Sequence, residues 1–139
     1  MFSCKNLTSV RLPQNDSLVI GDCVFLNCED LVEIDIPNGV KTITYGIFEG
    51  CSRLRRIGIP ESVTEIEKFA FKECFRLMDI QLPPDLKKIE SEAFSYCKSI
   101  IQLDLPEGLL EIGKGTFDGC TGLMTLTLPN SLAKIGDGD

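Results

Sequence analysis

Seven cysteines are the residues best equipped for chemistry in this chain of 139 residues. A thiolate can attack a carbonyl, bind a metal or close a disulfide. Cys28, Cys51, Cys74, Cys97 and Cys120 recur every 23 residues, and Cys4 leads them one residue out of register. Thiol nucleophiles need a base, and the chain has no histidine. That removes Cys-His and Ser-His-Asp arrangements, together with histidine metal sites. Cys23 and Cys28 have a ligand-like spacing, but a column lays its sulfurs along a line, whereas zinc needs them at tetrahedral corners. Six thiols at one repeat position read instead as a stack of buried free cysteines, each a small hydrophobe with a weak donor. Cys23 is different. Its slot is filled elsewhere by Gly46, Phe69, Glu92 and Gly115, so it is not a core slot, and Cys23 is expected nearer the surface. No Gly-rich phosphate loop or nucleophile elbow is present.

The elements that position these residues follow from the same period. Pro37, Pro60, Pro83, Pro106 and Pro129 keep the 23-residue step, as do Phe25, Phe48, Phe71, Phe94 and Phe117. A fixed period of this length is the mark of a solenoid. The units run 4–27, 28–50, 51–73, 74–96, 97–119 and a truncated 120–139, forming a single domain over 1–139. In each unit an alternating pair such as Ile57 and Ile59 predicts a short strand, ended by a proline that cannot donate to the ladder. Val63, Ile66, Ala70, Phe71 and Cys74 then follow a one-turn helical spacing. One strand per unit, stacked in register, predicts a parallel sheet and a rod roughly 25–30 Å long. The first unit has one extra residue, which Gln14-Asn15-Asp16-Ser17 absorbs as a turn.

Stacking sets out two outward columns on the strand face. One is Ser9, Glu33, Arg56, Asp79, Gln102 and Thr125; the other is Arg11, Asp35, Gly58, Gln81, Asp104 and Thr127. Arg56 is expected to be neutralised between Glu33 and Asp79. Asp35 and Asp104 then remain, three strands or roughly 14 Å apart, too far for an acid/base pair, which needs about 5–9.5 Å. The position after each unit's first leucine holds Val32, Arg55, Met78, Ile101 and Met124. Strand alternation turns these inward; on the rim they would form an adaptable apolar stripe. Lys41, Lys87, Lys88 and Lys134 fall on another side of the coil, which reads as a solvated face. Asn6 and Asn15 begin glycosylation sequons, relevant only to a chain exported from a eukaryotic cell.

Net charge is −7, with no basic cluster beyond Arg53, Arg55 and Arg56, which argues against nucleic acid as partner. Apolar runs are only a few residues long, so membrane insertion is not expected. The N-terminal residues lack a signal-peptide core. Neither end resembles the polar cap of a solenoid, so the chain is expected to be part of a longer array or to self-associate through open ends.

The order Pro60, Val63, Ile66, Ala70, Phe71, Cys74 and Leu77, repeated at Ile89, Ala93, Phe94 and Cys97, resembles the leucine-rich repeats of the BspA-like, or Treponema pallidum, class. The resemblance spans nearly the whole chain and is weakest over residues 1–27. It implies a right-handed coil with a parallel sheet on its concave face and turns, 3-10 or one-turn helices elsewhere. It also implies a non-catalytic module binding a protein or glycan, as in bacterial surface adhesins, without a cofactor. The expected contact residues are Glu33, Asp35, Arg56, Asp79, Gln81, Gln102 and Asp104. The expected location is the cell surface or outside the cell, within a larger protein. The alternative is a cytoplasmic scaffold that assembles end to end.

Overall fold

The computed structural model describes residues 4–136; the end of the sixth unit, 137–139, lies outside them. The chain winds as a parallel β-solenoid. Its strands are β1 (Glu33–Asp35), β2 (Thr42–Ile43), β3 (Arg56–Gly58), β4 (Glu65–Ile66), β5 (Asp79–Ile80), β6 (Lys88–Ile89), β7 (Gln102–Asp104), β8 (Glu111–Ile112), β9 (Thr125–Thr127) and β10 (Lys134–Ile135). The odd-numbered strands precede the prolines and line the concave face. The even-numbered ones follow the prolines and form a continuous second sheet, in the order β10-β8-β6-β4-β2. Register is one repeat per coil: Glu33 pairs with Arg56, and Glu65 with Lys88.

The segment with helical spacing is not a helix; no helix occurs among the described residues. Its amides divide their bonds. Gly46, Phe48 and Gly50 donate to Lys68, Ala70 and Lys72 of the next coil. Ile47, Glu49 and Cys51 donate three residues back within their own coil. This division needs a left-handed residue twice per coil. Gly46 and Phe69 fill the first such position with φ of 59° and 61°, and Gly50 and Tyr96 fill the second with 77° and 62°. Cys23 occupies the first position at φ 56°. That is why glycine shares its column and why it is half-buried rather than in the core.

Inside the coil the phenylalanines stack. Successive ring centroids from Phe25 to Phe117 lie 5.7, 5.5, 5.2 and 6.2 Å apart. Phe48, Phe71 and Phe94 are fully buried, and each such ring contributes up to about 3 kcal/mol of transfer free energy. Beside them runs the thiol column. All seven cysteines are free, and Cys28, Cys51, Cys74 and Cys97 are buried. The thiols of Cys51, Cys74, Cys97 and Cys120 donate to the carbonyls of Phe25, Phe48, Phe71 and Phe94, at 3.1, 3.2, 3.2 and 3.0 Å. The column therefore stitches each coil to the one before it as well as filling space.

Serine clasps tie the turns after the prolines. The amide of Gly39 donates to Ser62 Oγ, which donates in turn to the carbonyl of Val40 at 2.7 Å. Ser131 does the same with Gly108 and Leu109. The extra residue of the first unit sits in the expected turn, where Ser17 N–H donates to Asn15 Oδ1 at 3.0 Å.

The concave sheet is interrupted. β1, β3 and β5 form one piece and β7 and β9 another, with no ladder between β5 and β7. The second sheet, the phenylalanine stack and the thiol column cross this level unbroken.

Candidate functional site

The strand side chains place the predicted contact residues on the concave face in two groups. Glu33 and Asp35 project from β1 and Arg56 from β3. The Arg56 guanidinium lies 2.8 Å from Asp35 Oδ1 and 3.3 Å from Glu33 Oε2. Arg56 was expected to bridge Glu33 and Asp79. Its backbone is in register with Asp79, but its side chain turns toward β1. Gly58 leaves room for this: a Cβ there would meet the Asp35 carboxylate where it reaches across to Arg56. The hydrogen bond from Arg56 holds the Asp35 carboxyl below its ordinary range and raises the guanidinium further. This trio lines a groove of about 470 Å³ with Ser9, Val10, Arg11 and Leu12.

Asp79, Gln81, Gln102 and Asp104 form the second group. With Met78, Ile80 and Leu82 they line a groove of about 420 Å³ at the interruption of the sheet. All four polar residues are exposed. The unneutralised carboxylates are therefore Asp79 and Asp104, on adjoining coils, and not Asp35 and Asp104. Both of these carboxylates lie open to water.

The apolar column was expected to face inward by alternation and instead lies outside. Met78, Ile101 and Met124 are 52%, 60% and 85% exposed, and Val32 is exposed beside them. Backbone bonding explains the reversal. The carbonyl of Val32 accepts both Arg55 N–H and Arg56 N–H, at 2.8 and 3.4 Å. Arg55 and Ile101 carbonyls likewise each accept two successive amides. One acceptor opposite two donors bulges the strand entrance, so two consecutive side chains face outward. No feature of the residue types signals this.

On the second sheet the outward residues Glu65, Lys88, Glu111 and Lys134 alternate in sign, as suits a solvated face. The carboxylates of Glu65, Glu67 and Glu90 come together there. Glu67 and Glu90 accept the amides of Tyr45 and Lys68, and Lys88 lies 3.5 Å from Glu90. The cluster thus serves the turns.

Comparison with known proteins agrees with this architecture. No curated protein matches the chain in sequence. Residues 18–138 match the BspA type leucine rich repeat region in six copies. A leucine rich repeat protein of T. pallidum superposes with a TM-score of 0.74 at 30% identity, over 93% of this chain and 73% of that one. One from Bacteroides ovatus gives 0.72 at 29% identity, over 97% and 41%. A leucine rich cell surface protein of Faecalibacterium prausnitzii gives 0.77 at 35% identity, over 84% and 32%. The chain thus spans less than half of the last two. No described helix is long and apolar enough to cross a membrane. The thiol column, the proline-ended strands and the matched copies all have one source: this chain belongs to the BspA-type leucine-rich repeat family.

Proposed function

We propose that the chain is a non-catalytic recognition module that holds a protein or glycan partner against its concave face, as part of an adhesin-like protein at the cell surface. The observation carrying this reading is the concave face itself, where in-register strands present fixed columns of exposed side chains around two shallow grooves. Its family's fold is typically a binding fold. The cell-surface setting is supported by the description of the Faecalibacterium relative. The sequence holds no histidine and Asp79 and Asp104 lie exposed, which favours binding over catalysis.

The test is binding of the immobilised chain to a panel of extracellular-matrix proteins and glycans. Two variants accompany it: Gln81→Trp/Gln102→Trp, which obstructs the concave face, and Thr64→Trp, on the opposite side of the coil. Binding lost only in the first supports the reading. Equal binding by all three chains sinks it. No binding, with particle size rising with concentration in light scattering, favours an assembling scaffold.

A further inference from the structure

We infer that the groove at the sheet interruption takes a cationic, amphipathic segment of a partner polypeptide. This deepens the concave-face reading and rests on it. The concave face is divided electrostatically. In its first half Arg56 occupies both Glu33 and Asp35. In its second half Asp79 and Asp104 are exposed and have no ion-pair partner among the described residues. Among the described residues Asp104 accepts only the Gln102 side-chain amide, at 3.4 Å. The chain as a whole carries −7, so a cationic partner is attracted at a distance and finds carboxylates without a counter-charge on contact.

The neighbouring surface narrows the class of partner. Met78, Ile101 and Met124 stand along one side of these carboxylates, more than half exposed. Three large apolar side chains in a row favour a ligand with apolar groups at intervals, and methionine adapts to their shape. A sugar ring is recognised differently, by stacking on aromatic faces. None of the residues lining this groove is aromatic. Apolar anchors beside acceptors for lysine or arginine describe a polypeptide.

The interruption supplies a further contact. No ladder joins β5 to β7, so main-chain polar groups along the groove lack a sheet partner. Gln81 and Gln102 offer both donors and acceptors beside them. A polypeptide can meet these groups with its own amides.

The experiment uses the whole chain and a fluorescent 14-residue peptide that repeats Leu-Lys-Lys-Leu-Leu-Lys-Leu, with binding read by anisotropy. Asp79→Asn/Asp104→Asn is expected to weaken binding at least about tenfold, the value of one charge-assisted contact. Asp85→Asn/Glu61→Gln removes the same charge from exposed positions outside the groove and is expected to change affinity less than about twofold. Met78→Ser/Ile101→Ser is expected to weaken binding about fivefold or more. Circular dichroism and urea midpoints establish that each variant is folded. Equal losses from the two charge-removing pairs would overturn the inference, as would tighter binding of a chitosan hexamer than of the peptide. If the panel ligand is lost on obstructing the concave face while the peptide shows no dependence on Asp79 and Asp104, the concave-face reading stands and this partner class falls.

Discussion

Replacing Cys74 by serine, valine and alanine separates the two roles its thiol combines. Cys74 is fully buried, and its Sγ donates to the Phe48 carbonyl at 3.2 Å. That carbonyl also accepts the Cys51 amide at 3.0 Å, so removing the thiol does not orphan it. The lost bond costs about 1 kcal/mol on that account. The absent sulfur leaves a void of roughly 25 Å³, about 0.6 kcal/mol, with a further loss of about 1 kcal/mol in transfer free energy. Cys74→Ala should therefore destabilise by about 2.5 kcal/mol. Cys74→Ser keeps a donor of nearly the same reach and should cost about 1 kcal/mol. Cys74→Val fills the volume but presses a methyl group on the carbonyl, at about 2 kcal/mol. Urea unfolding under reductant reads the series, with the alanine midpoint lower by about 1.3 M at a slope of about 2 kcal/mol per M. A valine variant more stable than the serine variant would refute the ladder and leave the column as packing alone.

The same thiols predict an alkaline limit to stability. Burial pushes Cys51 up to about 12 and Cys74 and Cys97 well above their ordinary value. In the unfolded chain they ionise near pH 8.5. Their contribution is complete below that pH and declines as pH rises toward the folded values, by about 1.4 kcal/mol per pH unit for each thiol. Urea midpoints that stay level from pH 7.5 to 10 would contradict this. Gly39→Ala should cost about 2 kcal/mol or more, because Gly39 has φ 96° and a Cβ would lie 2.8 Å from the backbone of Asp16. A thermal midpoint unchanged by this substitution would show that the first unit's turn yields.

Sequence and structure agree where packing sets the rule. A column of phenylalanine or cysteine must fall at one place in every coil, so its spacing shows in the residue types. Strand ends are legible for a similar reason, since proline has no amide to donate. The rim is not legible. Whether Met78 faces in or out depends on how many amides share the Arg55 carbonyl, and that is main-chain geometry no side chain records. The pairing of Arg56 with Asp35 rather than Asp79 uses space that Gly58 leaves by lacking a Cβ. The helical spacing of Ala70, Phe71 and Cys74 arose from i→i+3 bonding, which turns share with helices. The glycines at 46 and 115, in the column of Cys23, and those at 50 and 119, four residues on, hinted that the segment carried left-handed residues. The break between β5 and β7 left no trace in composition, although the groove beside it is where four of the seven predicted contact residues meet.

The bonds between coils have constant reach. Turn amides reach 22 residues along the chain, as from Gly46 to Lys68, and thiols reach back 26, as from Cys74 to Phe48. Insert or remove 23 residues, and every donor finds an equivalent acceptor one level away. Insert or remove 10, and the strand, turn and thiol ladders all lose their partners together. Inheritance therefore acts on such a molecule in whole steps. Its length can drift by duplication or loss of complete coils without a folding penalty at the junction, while the exposed columns on each coil remain free to diverge.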